Sequence, residues 1–534
     1  MRLNLTVIET MASNPKPNRL EDWAKRTPNT AAIIQGDRSL TYAQWNQQAD
    51  QVAHSLAKRG IGSEDIMVLR LQNSIEWCVL NAALSKLGAG VLGLNWRLTA
   101  KEIRFILDNS GATAFACDDQ RPEALLPAFD GLNMKALVAV APTPTLSGDF
   151  THYAALLETP PEPPFYSDAD ARLIIYTSGT TGFPKGVVNN RSNPSATKDP
   201  LLAQQQREYL ASVRGEGNND PEQVLVTMPM HHAAGPGIVR TAVNRGSTMV
   251  LMPRFDAEKV LQLIEQHQIS TWNGVPTMFK RIAALPKDIL DKYDVSSIKT
   301  LSVGAAPVPK ALKQWIFDYF GPCLRENYGS TEVSMVSSLS PDMHTEKPGS
   351  CGKPFKHVQV SIRDAAGKEL PQGETGEIWV YTPVAISNYL GADTMDEDTR
   401  DKNGFFRMGD VGYLDSDGYL YITDRIKDMI ISGGVNIYPA EIEAALIQHP
   451  AIQDIAVIGV PDDEFGEQVK AYCELKPNHD ASEAELSDFA AEHLASYKRP
   501  RSYEIVAELP RNTMGKILKR DLRDPYWQNK ERQV

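Results

Sequence analysis

The sequence predicts an α/β protein in two parts: a large N-terminal domain of helix-covered sheets and a small α+β C-terminal domain. Three observations predict it. The chain has 534 residues, more than one hydrophobic core ordinarily organises, so two or more domains are expected. Its composition is that of a globular protein, with 42% hydrophobic and 23% charged residues. Through the first third, helix and strand signals alternate, which implies parallel sheets covered by helices.

Residues 41–60 read as an amphipathic helix. Thr41 can cap it, Trp45, Ala49, Val52, Ala53 and Leu56 share one face, and Gly60 ends it. Residues 66–71 read as a strand, and 74–86 as a second helix stopped by Gly88. Thr99 and Glu102 form a capping-box pattern that opens a helix running through Leu107. The next strand is 112–117, and the proline-rich stretch 142–164 reads as a loop. A buried strand follows at Leu173-Ile174-Ile175-Tyr176, then a long polar helix at 201–213. No internal repeat is visible. Near the C-terminus, strands at 429–431, 455–460 and 469–475 alternate with helices at 439–448 and 483–495, an α+β pattern long enough for a small domain.

The net charge of -12 argues against nucleic acid or an anionic membrane as the main partner, while leaving room for a local basic patch. Cys78, Cys117, Cys323, Cys351 and Cys473 are far apart without a CxxC pair, and read as reduced thiols or core fillers in a cytosolic protein. The N-terminus lacks a signal-peptide core, and no apolar run reaches membrane-spanning length. A soluble cytoplasmic protein with no membrane insertion is expected.

Four stretches carry chemistry. After Tyr176 come Thr177-Ser178-Gly179-Thr180-Thr181-Gly182-Phe183-Pro184-Lys185-Gly186. Hydroxyls, crowded backbone N–H groups and one lysine suit a polyphosphate gripped by many neutral donors, although a polar hairpin tip has the same composition. It is not a Walker A loop, because no Gly-Lys-Ser/Thr follows at the required spacing. Glu326-Asn327-Tyr328-Gly329-Ser330-Thr331-Glu332 places an aromatic beside hydroxyls and a carboxylate. That suits a nucleotide, with Tyr328 stacked on adenine, Thr331 on phosphate and Glu332 on Mg²⁺, a cation that takes hard oxygen ligands. Asp410, in Met408-Gly409-Asp410-Val411-Gly412, can accept from both hydroxyls of a ribose, and reads equally as a turn aspartate. Lys516 follows a Gly turn in Thr513-Met514-Gly515-Lys516, where an exposed surface lysine is the bland alternative.

Together these stretches resemble the adenylate-forming superfamily: acyl-CoA synthetases, firefly luciferase and peptide-synthetase adenylation domains. The resemblance recurs in order from Leu20 to Arg520. It implies an acyl-CoA synthetase-like fold and a chemistry that uses ATP, Mg²⁺ and coenzyme A. By resemblance, Thr177, Ser178, Gly179, Thr181, Gly182 and Lys185 belong to the phosphate loop, with Thr180 catalytic. His232 matches the histidine near the nascent adenylate, and His231 a position often aromatic at the edge of the acyl pocket. A zinc reading of the two histidines fails, because no cysteine or carboxylate has ligand spacing nearby. Gly304, Ala305 and Ala306 are expected between the acyl pocket and adenine, and Glu326, Asn327 and Ser330 in the nucleotide site. Acetyl-CoA synthetases carry tryptophan where this chain has Gly329. An open pocket therefore disfavours acetate and propionate and favours a medium-chain, long-chain or bulky ring acid. The segment 189–220 is longer than is usual in the superfamily.

The resemblance makes Asp410 the ribose carboxylate and Arg425 a second ribose or phosphate contact. It places Lys427 at a hinge, dividing the chain into 1–426 (ATP and carboxylate sites) and 427–534 (catalytic lysine and CoA contacts). Lys516 becomes the catalytic lysine of adenylation. Gly433 and Gly434 wall the pantetheine tunnel, and Phe465, Tyr497, Arg499 and Arg501 match segments that bind the CoA nucleotide; a solvated basic turn remains the alternative for the last three. The expected activity is an ATP-dependent acyl-CoA ligase in fatty acid metabolism, which forms acyl-AMP and then acyl-CoA. A carrier-protein-loading adenylation enzyme and a luciferase-like oxygenase are the alternatives on the same fold. Thr180, Glu332, Asp410 and Lys516 are all present, which argues against a nucleotide sensor with a dead site. A homodimer is a further implication.

Overall fold

The paired strands Leu173–Thr177 and Lys185–Asn189 close the edge of a seven-stranded sheet. Its order is Phe150–His152, Ala136–Ala139, Ala114–Cys117, Ile66–Arg70, Gly90–Gly93, Leu173–Thr177 and Lys185–Asn189. All neighbours are parallel except the last pair, in which Thr177 faces Lys185. The structure is a computed structural model that describes residues 20–140, 149–160, 171–177, 185–189, 197, 199–214, 220–304, 306, 308–392, 394–433, 435–512 and 515–528.

A nine-stranded sheet faces the first. It is parallel at its centre, where Gln223–Val226, Thr271–Gly274, Thr300–Val303 and Leu324–Ser330 lie side by side. Ser334–Leu339 returns antiparallel on Leu324–Ser330. Between the sheets run the helices Tyr42–Lys58 and Ile75–Leu87, which bury Tyr42, Trp45 and Trp77 in one core shared by both sheets. Both helices begin as their sequences dictate: Thr41 makes a capping box with Gln44, and Ser74 accepts from the Trp77 amide. Gly88 ends the second helix in the left-handed conformation. The capping box of Thr99 and Glu102 forms as expected.

A four-stranded antiparallel sheet, Gln359–Arg363, Gly376–Tyr381, Phe406–Leu414 and Leu420–Arg425, follows. The C-terminal part has its own sheet and its own core. Val435–Ile437, Ile430–Ser432, Gly466–Leu475 and Ile452–Asp462 are hydrogen-bonded in that order, with Ser502–Val506 added to Gly466–Leu475. The helices Pro439–Leu446 and Glu483–His493 cover it.

Two expectations are corrected. The stretch 142–164 is not all loop: Phe150–His152 joins the edge of the seven-stranded sheet and Tyr153–Leu157 is a helix. Phe150, Tyr153 and Leu156 are buried there, and tertiary packing overrides the proline-rich surroundings. The strands expected at 455–460 and 469–475 extend to Ile452–Asp462 and Gly466–Leu475, because they form one long hairpin whose pairing reaches Asp462 and Gly466. Among the described residues, no helix is long and apolar enough to cross a membrane.

Candidate active site

Three strands meet at Asp410, and a C-terminal hairpin comes near it. Asp410 is buried in Phe406–Leu414 and pairs in register with Arg425 on the neighbouring strand. Its Oδ1 lies 3.0 Å from Arg425 Nε, and its Oδ2 accepts from the Tyr328 hydroxyl at 2.6 Å. Burial, and then the neighbouring Asp410 charge, push the Tyr328 phenol well above its ordinary value, so it stays a donor. The motif around Tyr328 and the motif around Asp410, 82 positions apart, are thus joined by one hydrogen bond.

Beneath Tyr328, alternation along Leu324–Ser330 turns Glu326 into the protein. Glu326 is buried against Lys313 Nζ and lies 3.4 Å from His344 Nδ1. Burial raises its pKa, and Lys313 opposes that shift. Glu326 is therefore held by Lys313 on the face of the strand that Tyr328 shares. The opposite face carries Asn327, whose carbonyl oxygen would lie 3.0 Å from a Cβ on Gly304. Gly329 pairs with Met335 at a register shift, and a Cβ there would overlap the Ser334 carbonyl. Glycine is required at 329 by the closeness of the hairpin as well as by the space beyond it. Ser330 Oγ accepts from the amides of Glu332 and Val333 and holds the turn that carries Thr331 and Glu332.

Glu332 has a neighbour that the sequence did not disclose. Tyr389, pushed up to about 12 by burial and then by Glu332, stands beside it, and Lys185 Nζ sits 5.0 Å over the same ring. The Leu390 amide donates to the Gly186 carbonyl at 2.7 Å, which pins this segment to the outgoing strand of the phosphate-loop hairpin. Tyr389 thereby links Lys185 to Glu332. Ser178, Gly179, Thr180, Thr181 and Gly182, together with Ala305 and Gly434, lie outside the described residues. Thr177 and Lys185, at the two ends of the loop, are placed opposite each other. No group of three or more His, Cys, Asp or Glu that could hold a metal gathers among the described residues. A lone Glu332 beside Thr331 fits magnesium held mainly by substrate phosphates, and does not fit a metal caged by protein alone.

His231 and His232 occupy a tight turn at the start of the helix Ala234–Arg245. A Cβ on Gly93 would lie 2.9 Å from His231 Cα and 2.7 Å from the Met230 carbonyl oxygen, so the turn rests directly on the strand Gly90–Gly93. Burial lowers both imidazoles, His231 to about 4 with His232 and Arg97 contributing. Both are neutral at pH 7, and His232 Nδ1 accepts from the Ala234 amide at 3.4 Å.

Lys516 comes to this site from the C-terminal part. Its pKa is lowered to about 8, first by burial, then by Arg425, with Asp410 and Asp428 opposing and Lys427 adding to the fall. The lysine is therefore within reach of the charges of Arg425, Asp410, Asp428 and Lys427. Its loop is a short hairpin: Arg511 bridges Ile517, the Asn512 amide donates to the Lys516 carbonyl, and the Lys516 amide donates to Asn512 Oδ1 at 2.9 Å. Gly515 turns it at φ +73, with a virtual Cβ overlapping Thr277 Oγ1 on the helix Pro276–Ala283. The Lys280–Asp454 ion pair, 3.1 Å, fixes the same helix to the C-terminal sheet. Gly515→Ala is thus expected to slow adenylation at least tenfold by displacing Lys516, and Thr277→Ala in the same chain to restore part of that loss. Single-turnover rates of the first step check this.

The hinge candidate Lys427 lies in the short turn Ile426–Asp428, and burial is the main cause lowering its pKa. Arg523 donates to its carbonyl at 2.8 Å. Asp424, just before the turn, accepts from the Ala440 amide at the start of the helix Pro439–Leu446, 2.8 Å, a contact that no local pattern announces.

The remaining predicted residues do not join this site. Gly433 donates its amide to the Phe465 carbonyl at 2.8 Å, and a Cβ on it would lie 3.2 Å from the Phe465 ring. Phe465 and Tyr497 are exposed, 48% and 49%. Arg501 is exposed too, whereas Arg499 donates to the carbonyls of Leu494 and Ala491 and caps the end of Glu483–His493. Arg499 is thus turned onto backbone rather than outward.

Residues 20–390 match the AMP-binding enzyme family, and residues 441–516 match the AMP-binding enzyme C-terminal domain. The chain is 34% identical to a 2-succinylbenzoate–CoA ligase of Bacillus licheniformis, across 95% of this chain and 99% of that one. It is 32% identical to the fatty acid–[acyl-carrier-protein] ligase ScoC of Streptomyces coeruleorubidus, across 96% of each. The structure of o-succinylbenzoate coenzyme A synthetase from Bacillus subtilis, in complex with ATP and magnesium ion, superposes with a TM-score of 0.78 at 29% identity, across 95% of this chain and 99% of that one. With the Tyr328, Asp410 and Arg425 side chains brought together and family matches over both parts, the chain belongs to the AMP-binding enzymes of the adenylate-forming superfamily.

Proposed function

We propose that this protein is an AMP-forming acid–thiol ligase that activates a carboxylic acid with ATP and passes the acyl group to coenzyme A. The single observation that carries the reading is the Asp410–Arg425 pair, tied to Tyr328 and felt electrostatically by the buried Lys516. A carboxylate attacking the α-phosphorus of ATP brings two anions together. A cation between them lowers that repulsion and stabilises the transition state. In this reading Asp410 holds the ribose, Tyr328 flanks adenine, and Arg425 contacts ribose or phosphate. The 177–185 loop, with Thr180 at the reacting phosphate, and Thr331 take the phosphates. Neutral His232 lies against the forming adenylate, with Gly304, Ala305 and Ala306 between adenine and the acyl group. A magnesium ion held by Glu332 would offset phosphate charge. Chelation is expected to abolish pyrophosphate release, and Glu332→Gln to raise the magnesium concentration needed for half-maximal rate.

The second step needs a thiol at the acyl carbonyl, a place that in this reading Lys516 occupies during the first. We therefore place the boundary of the moving part at Lys427. Its turn about that residue withdraws the lysine and brings up Gly433 and Gly434. The exposed Phe465, Tyr497 and Arg501 then meet the CoA nucleotide, Tyr497 or Phe465 stacking on its adenine. A carrier-protein thiol is the second reading, favoured by the likeness to ScoC. The scattered thiols support a cytoplasmic location, and a dimer of two copies belongs to the same reading.

The test is pyrophosphate release with ATP, Mg²⁺ and a panel of acids from acetate to palmitate, with benzoates, cinnamates and sterol-side-chain acids, each with and without CoA. Multiple turnover that requires CoA and favours the larger acids is expected. A single turnover that CoA does not accelerate would move the assignment to a carrier protein.

A further inference from the structure

Two acidic residues face each other across the long C-terminal hairpin. Asp454 on Ile452–Asp462 lies in register with Glu474 on Gly466–Leu475. Like charges directly opposite on paired strands repel, and a cation between them removes the cost. Arg511 supplies it: its Nη2 donates to Asp454 Oδ2 at 2.9 Å and to Glu474 Oε2 at 3.1 Å. Glu474 Oε2 also accepts from the Leu509 amide at 3.0 Å, which ties the chain entering the Lys516 hairpin to the same group. Arg511 itself forms the base of that hairpin. It bridges Ile517, and its Nη1 donates to the Gly515 carbonyl at 3.4 Å.

One arginine against two carboxylates leaves a negative charge unbalanced. The side chains of Arg511, Asp454 and Glu474 are 15%, 13% and 11% exposed, so water does little to offset it. The second cation comes from the other side of Lys427. Lys280, on the helix Pro276–Ala283, places its Nζ 3.1 Å from Asp454 Oδ1, while Arg511 takes the other oxygen of the same carboxylate. Contacts therefore run without a gap from Lys280 through Asp454 and Arg511 to the backbone that carries Lys516. Beside them the two parts are not closely packed. A cavity of about 480 Å³ is lined by Met278 and Arg281 of the helix and by Pro510 and Asn512 of the hairpin. A polar boundary that is only partly filled is one that two parts can leave and form again.

We propose that Lys280 is a positioning residue for adenylation: it completes the charge balance of Asp454, Arg511 and Glu474 while the Lys516 hairpin is seated, and so holds that lysine in place for the first step. The proposal rests on the two-step ligase reading, with the C-terminal part turning about Lys427 between the steps. Once that part turns, Asp454 leaves with Arg511 and Lys280 stays behind. The pair then contributes to the first step and nothing to the second.

The experiment measures the two half-reactions separately, with the acid of the panel that turns over fastest. Single-turnover pyrophosphate release reports the first step, and thioester formation from the supplied acyl-adenylate and CoA reports the second. The pair has one partly exposed member and lies between surface and fully buried pairs. Lys280→Met is therefore expected to slow the first step about three- to thirtyfold and to leave the second within about twofold. Lys280→Arg, which keeps the charge, is expected to retain most of the first-step rate. In an Asp454→Asn background, Lys280→Met is expected to cost less than about twofold, because the partner charge is already gone. A lysine needed only for folding would slow both steps alike. Equal loss in both steps, an undiminished first step, or the full loss recurring in Asp454→Asn would each overturn the proposal while leaving the ligase intact. Absence of release from the unaltered protein with every acid would overturn the ligase reading, and the proposal with it.

Discussion

Replacing Lys516 by alanine is expected to slow acyl-adenylate formation by about 10²–10³, the usual cost of losing one preorganised charge contact to the transition state. Conversion of supplied acyl-adenylate and CoA into thioester is expected to stay within about threefold of the unaltered enzyme, since loss confined to one step is what a group acting only there produces. Measuring the half-reactions separately checks this; an equal loss in both would contradict the assignment. The same lysine predicts a pH dependence. Its pKa lies near 8 because burial and the Arg425 charge disfavour the ammonium. The protonated form is the useful one, so kcat/KM for adenylation is expected to fall as pH rises through about 8. In Lys516→Arg that limb moves beyond the measurable range, because a guanidinium keeps its proton.

Asp410→Ala is the second large effect. The side chain removed is buried and accepts from both Tyr328 and Arg425. A hydrogen bond to a charged group contributes about 1.5–3 kcal/mol, so losing the ribose acceptor is expected to raise the KM for ATP by about 10- to 150-fold. Tyr328→Phe separates the two roles of Asp410. It leaves the carboxylate for the nucleotide and removes only the tie between the motifs, and is expected to raise that KM less than tenfold. An equal or larger effect of Tyr328→Phe would make the tie, and not ribose binding, the main task of Asp410.

The parts of this protein that could be read in the sequence are those whose cause is local. Thr41, Ser74 and Thr99 cap helices by reaching amides three residues on, and each does so. The hydroxyl-rich loop after Tyr176 sits between two strands because Thr177 and Lys185 begin and end a hairpin. What could not be read depends on pairs far apart in the chain. Tyr389 between Lys185 and Glu332, Glu326 against Lys313 and His344, and Thr277 beneath Gly515 are contacts of tertiary packing, and none has a spacing that announces it. Arg499 illustrates the opposite difficulty. Its position in a basic turn suggested a phosphate clamp, whereas two carbonyls at the end of a neighbouring helix take its donors. The helix Pro200–Arg214 was legible as a helix, but only its docking through Tyr209 reveals that it packs against the hairpin that carries Gly329.

The central claim is that the acid's own oxygen attacks phosphorus before the thiol attacks carbon. An acid labelled with ¹⁸O in both carboxylate positions, turned over with ATP and CoA, tests it directly by mass spectrometry of the nucleotide. The account predicts one ¹⁸O in each AMP and the other in the thioester carbonyl, with one AMP per thioester. Unlabelled AMP, or ADP as the nucleotide product, would contradict it.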